Sequence, residues 1–216
     1  FLHYADPEFG AGYYKTARLS WIIPGFIAYH VFQPVVANYV LHMGCLILSV
    51  LFLYLTMARL FGTAVAFAIA ACFAVFIHIH GSGGWDYQNA AAGAFYIVAL
   101  YTLTHAVLSK TPHWPAIGAG AAYAAAVHAT IGFVNLAPIL VFHCFALYRY
   151  QYARSPSWRY VLTFGTCVLS GALALTVLLG LFNIAVGREF IFFRQLLELV
   201  VSYVGDSQMQ AAWWLP

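Results

Sequence analysis

Residues 35–80, VVANYVLHMGCLILSVLFLYLTMARLFGTAVAFAIAACFAVFIHIH, decide the fold. Arg59 is the one formal charge in this stretch, and it divides two apolar runs at about 35–58 and 63–80. A helix crosses the hydrocarbon core of a bilayer in about 17–25 residues, so each run is long enough. The turn between them, Arg59-Leu60-Phe61-Gly62, combines a cation with a helix-ending glycine.

The rest of the chain repeats this pattern. Of its 216 residues, 64% are hydrophobic and 7% charged, where soluble domains carry about 25% charged residues. So few charges cannot cover a water-facing surface, and the chain belongs to the integral membrane class. Further spans are expected at about 88–109, 115–132, 133–149 and 158–183. That makes an all-α, polytopic transmembrane bundle of about six spans in one membrane domain over 1–216. The fourth and fifth spans meet at Gly132 as a helical hairpin, and Pro138 is expected to kink the fifth. No segment alternates long enough for a barrel strand. Cys45, Cys72, Cys144 and Cys167 lie in apolar runs without C-x-x-C spacing and read as small buried hydrophobes.

Charge assigns the sides. The connections after the first, third and fifth spans hold Arg59, Lys110, Arg149, Arg154 and Arg159 and no acid. The opposite side holds Lys15, Arg18, Arg188 and Arg194 with Asp6, Glu8, Asp86, Glu189, Glu198 and Asp206. Excess Lys and Arg mark the cytoplasmic face, so the acids are expected on the extracytoplasmic one. Residues 1–34 form the outer loop and juxtamembrane segment, in which 19–33, interrupted by Pro24-Gly25, reads as re-entrant or interfacial. Residues 184–216 are the outer tail, in which 188–204 place Arg194, Gln195, Glu198 and Ser202 on one stripe of an interfacial helix.

Several stretches resemble the type-C membrane glycosyltransferases (the GT-C fold). The opening ADPEFGAGYYKTARL (5–19) looks like the acidic motif of that family's first outer loop, and LSVLFLYLTMARLFGTAVAF (48–67) like its Arg-Leu-Phe-Gly turn between spans. GSGGWDYQNAAAGAFYIVALYTLTH (81–105) is similar to its second outer loop and following span. AVHATIGFVNLAPILVF (126–142) and LLGLFNIAVGREF (178–190) resemble its later hairpin and an Asn-containing span exit. The resemblance implies a span upstream of Phe1 and transfer of a sugar from a polyprenyl-phosphate donor at the outer face.

Such a transfer needs a carboxylate to take the acceptor's proton, and cations or a divalent metal beside the departing phosphate. The expected base is Asp6, stiffened by Pro7, with Glu8 and Asp86 as supporting acids. Lys15 and Arg18, about one helical turn apart, and then Arg188 and Arg194, are the expected phosphate ligands. The plainer reading is solvated loop charge, with Asp6 or Asp86 capping a helix.

His78, His80 and Asp86 have donor types that suit Mn or Zn, while interfacial anchoring by His and Trp85 is the simpler account. A second reading makes the chain a non-catalytic integral subunit of a larger membrane assembly. In that reading His128 and His143 are haem ligands, with His78 and His105 as partners. Single histidines in apolar spans otherwise bond a neighbouring carbonyl or hydroxyl. The small-residue run AIGAGAAYAAAVHA (116–129) predicts close helix approach in either case. Nucleotide, serine-hydrolase and zinc-protease motifs are absent, and the inner basic residues follow from topology, so nucleic-acid binding is not expected.

Overall fold

The computed structural model describes Tyr4, residues 18–80 and residues 87–194, except for the side chains of 76–80, 87 and 88. The described residues form an all-α bundle without a β-strand. Its helices are α1 Leu19–Val31, α2 Pro34–Phe61, α3 Thr63–His80, α4 Tyr87–Leu108, α5 His113–Ala129, α6 Ala137–Tyr152 and α7 Trp158–Ala185. A 3-10 segment, Ile131–Leu136, leads into α6. Among these residues, Pro34–Phe61, Asn89–Leu108, Ile131–Tyr152 and Trp158–Ala185 are long and apolar enough to cross a membrane. The chain is a membrane protein. The other two expected spans correspond to α3 and to the 17-residue α5, about 26 Å long.

α5 is the centre of the bundle and packs most extensively on α4 and α7. Its buried face is Ala116, Ala119, Gly120, Ala124, Ala125, Ala126 and Ala129. Such small side chains let helix axes close in where lipid supplies no hydrophobic drive between helices. The α5–α7 approach is reciprocal. A Cβ on Gly120 would run into the carbonyl oxygen of Val168, and one on Gly171 into that of Ile117. The two helices run parallel: His113 Nδ1 lies 3.6 Å from Cys167 Sγ, and His128 Nε2 lies 2.9 Å from Thr176 Oγ1.

The bundle has two chemically different ends. At the first, Leu19 packs with Tyr4 and Leu179, and Trp21 packs with Ala91, Ala92 and Ala129. Ser20 Oγ donates to the Ala125 carbonyl at 2.6 Å, and Thr130 Oγ1 to Asn89 Oδ1 at 3.0 Å. This end therefore gathers the starts of α1 and α4 and the exits of α5 and α7, together with Arg18, Arg188 and Arg194. At the second end Arg59 donates to His105 Nδ1 (2.6 Å) and to the Tyr101 hydroxyl (3.2 Å), tying α2 to α4. There the Tyr152 hydroxyl also donates to the Val107 carbonyl at 3.2 Å. Arg59, Lys110, Arg149, Arg154 and Arg159 belong to it. The helices thus divide these eight cations as the sequence does.

Local expectations are corrected in three places. Pro24-Gly25 does not interrupt residues 19–31, which form one helix with Pro24 inside it. One missing N–H is outweighed there by the burial of Leu19, Trp21 and Ala28. Pro138 lies in the first turn of α6, where its lost N–H would be unsatisfied anyway, so it starts that helix and does not kink it. The expected interfacial helix does not begin at Arg188, because residues 188–193 are not helical. Gly187 (φ 81°) ends α7, with Gly187 N–H bonded to Ile184 and Arg188 N–H to Asn183, the paired bonds of a glycine C-cap. Residues 195–216 lie outside the described set. Arg18 precedes α1 as its N-cap, and Lys15 lies outside the described residues.

Candidate functional site

The best-defined polar arrangement at the first end is built around Tyr4 and Asn183. Tyr4 is buried at 4% exposure, in a wall of Phe26 (edge-on, 5.7 Å between centroids) and Phe182 (stacked, 6.4 Å). Its hydroxyl donates to Asn183 Oδ1 at 2.5 Å. Asn183, also 4% exposed, uses its Nδ2 to donate to the Glu189 carbonyl at 2.5 Å. Arg188 Nε donates to the Tyr4 carbonyl at 2.9 Å, and its guanidinium carbon stands 5.2 Å from the Tyr4 ring centroid. One arginine therefore grips both the backbone and the π-face of the same residue.

Local sequence explains how this assembles. Asn183 sits in the last turn of α7, and Gly187 immediately afterwards reverses the chain. Residues 188–192 can then fold back along α7. Gly180 permits this: a Cβ there would lie 2.7 Å from Phe190 Cε2 and 3.0 Å from its carbonyl oxygen. Phe192 is buried against Tyr4, Leu19 and Leu179. Burial pushes the Tyr4 hydroxyl up to about 12, against a weaker opposing pull from Arg188. At neutral pH Tyr4 is therefore a fixed donor.

Of the residues expected to act, Arg18 and Arg188 lie at this end with Tyr4, and Arg194 follows in the same segment. Asp6, Glu8, Lys15 and Asp86 lie outside the described residues, and the side chains of His78 and His80, which close α3, do too. Among the described residues no three His, Cys, Asp or Glu side chains cluster as a metal site. The proposed haem ligands stand on different helices, His128 on α5 and His143 on α6. Each Nε2 is taken by a threonine of a neighbouring helix: His128 by Thr176 at 2.9 Å and His143 by Thr104 at 2.9 Å. Phe192 lies edge-on to His128 at 5.0 Å, and His105 is held by Arg59. In this structure these imidazoles tie helices together.

Tyr4 and Asn183 were not singled out by the residue pattern. Asn183 gave a signal, an amide among Leu, Phe and Ile four positions before a helix-ending glycine, since polar groups inside spans are costly unless partnered. Tyr4 gave none, because its partner is 179 positions away. No family model, curated protein or solved structure matches this chain.

Proposed function

We propose that this chain is a membrane-embedded glycosyltransferase of the type-C kind, moving a sugar from a polyprenyl-phosphate donor to an acceptor at the first, extracytoplasmic end of a multi-pass bundle. One observation carries the reading. The contact of Tyr4 with Asn183 and Arg188 anchors the acid-bearing opening segment to the cation-bearing exit of α7. Asp6 follows Tyr4 by two residues, a tether of at most about 8 Å between Cα atoms.

In the reaction, the carboxylate of Asp6 accepts the proton of the acceptor hydroxyl as that oxygen bonds to the anomeric carbon. The bond between that carbon and the phosphate oxygen breaks, and its electron pair leaves with the lipid phosphate. The growing charge on the phosphate is met by Arg18, Lys15 and Arg188 or Arg194. Glu8 and Asp86 support the base or hold a divalent metal. A carboxylate and cations in one small region suit this division of labour, since one group takes a proton while the others stabilise an anion.

The test is to make Asp6→Asn and Glu8→Gln separately and to assay transfer from a lipid-linked sugar in reconstituted vesicles. Loss of turnover in at least one, with donor binding retained, is expected. Full activity in both removes the mechanism and leaves a non-catalytic membrane subunit as the better description.

A further inference from the structure

The second end of the bundle has a different use for its cations. Arg59 is consumed internally by His105 and Tyr101. Lys110, Arg149, Arg154 and Arg159 are all exposed, and their side chains have no hydrogen-bond or ion-pair partner among the described residues. Glu189, the only carboxylate among the described residues, belongs to the opposite end. Aromatic side chains are interleaved with these charges: Trp114, Tyr150 and Trp158 are 80%, 87% and 72% exposed. Arg149 adjoins Tyr150, and Arg159 adjoins Trp158.

The connection between α6 and α7 is a short, defined loop that carries Arg154, with Arg149 in the last turn of α6 and Arg159 in the first turn of α7. Ala153 (φ 50°) closes α6, and Ser157 Oγ accepts the Tyr160 N–H at 3.2 Å to cap α7. The Tyr148 ring contacts Tyr152 at 4.6 Å and Tyr160 at 4.7 Å, which fastens the two helices beneath the loop. Exposed Trp and Tyr settle at headgroup depth, so the neighbouring cations sit at the level of lipid phosphates.

We propose that this end is a docking surface for anionic phospholipid headgroups, held by Lys110, Arg149, Arg154 and Arg159 beneath the Trp114, Tyr150 and Trp158 rim. Positive charge at this depth attracts acidic lipid over zwitterionic lipid. A nucleic-acid surface would have no need of aromatic rings at headgroup depth. The inference does not depend on the transferase reading, because it concerns the opposite end and a different readout.

The experiment releases the full chain from nanodiscs of equal phosphatidylglycerol and phosphatidylcholine and counts retained lipids by native mass spectrometry. The intact protein is expected to keep phosphatidylglycerol preferentially. Arg154→Gln and Arg159→Gln should each weaken that preference about fivefold, and the quadruple variant that also carries Lys110→Gln and Arg149→Gln should abolish it. Arg→Lys at the same positions should keep it. Equal retention of the two lipids in the intact protein overturns the proposal, as does a preference undiminished in the quadruple variant. Displacement of the bound lipid by inorganic phosphate or by an RNA oligomer also overturns it. Should the quadruple variant fail to fold, the double Arg154→Gln, Arg159→Gln variant, at exposed positions in the α6–α7 loop and the first turn of α7, decides the matter.

Discussion

The Tyr4 hydroxyl donates to the Asn183 side-chain oxygen, joining the amino-terminal segment to the last turn of α7. Both residues are almost fully buried, so neither partner can exchange this bond for one with water. A buried polar group left unmatched costs about 1–3 kcal/mol, and the amide of Asn183 carries a second bond to Glu189. Asn183→Ala should therefore destabilise more than Tyr4→Phe, which removes a single hydroxyl. Both should expose the first residues to protease in folded protein. Unchanged digestion and melting in both variants would refute the anchoring role.

The pH response follows from the same contact. The folded state raises the Tyr4 hydroxyl from 10.0 to about 12, chiefly through burial. The stabilisation tied to the neutral form is thus fully present below pH 10.0 and is lost as pH climbs through about 12. Intact protein should lose melting temperature more steeply than Tyr4→Phe over that interval. Parallel curves would show that Tyr4 does not titrate in the folded state as described.

Arg188 serves the opening segment through geometry as well as charge. Arg188→Lys keeps the cation but loses the fixed Nε donor to the Tyr4 carbonyl and the planar contact with its ring. Protease protection of the amino terminus should fall in Arg188→Lys and Arg188→Gln alike. In a transfer assay only Arg188→Gln should add a rise in KM for the lipid-phosphate donor. Equal KM values in the two variants would assign Arg188 to anchoring alone.

The α5–α7 crossing makes a sharp internal comparison. Gly120→Ala and Gly171→Ala each push a methyl group into a facing backbone carbonyl, and overpacking of this kind costs about 1–3 kcal/mol. Gly118→Ala, on the same helix but with nothing within 4 Å of the new methyl, should be neutral or stabilising by up to about 1 kcal/mol. Denaturation midpoints of the three variants test this. Equal effects at Gly118 and Gly120 would contradict the reciprocal close approach.

Arg59→Gln should loosen the second end, since Arg59 links α2 to both His105 and Tyr101 of α4. A cysteine cross-link between the ends of α2 and α4 should form more slowly in this variant. An unchanged rate would leave Arg59 a purely topological charge.

Composition and the long apolar runs determined the all-α membrane class by themselves. No arrangement of 7% charged residues can solvate such a surface, and a spanning backbone in hydrocarbon must satisfy its own hydrogen bonds. The grouping of cations was also legible, because helices alternate direction and charged connections follow from their order. The run around Gly118 and Gly120 announced close packing, though only the fold selected Gly120 and Gly171 as the contact pair. Tertiary structure alone decided that Tyr4 seeks Asn183, that Thr104 and Thr176 engage His143 and His128, and that Pro24 is absorbed within α1. These outcomes depend on partners far apart in the chain, and they are settled by burial, which local pattern does not encode.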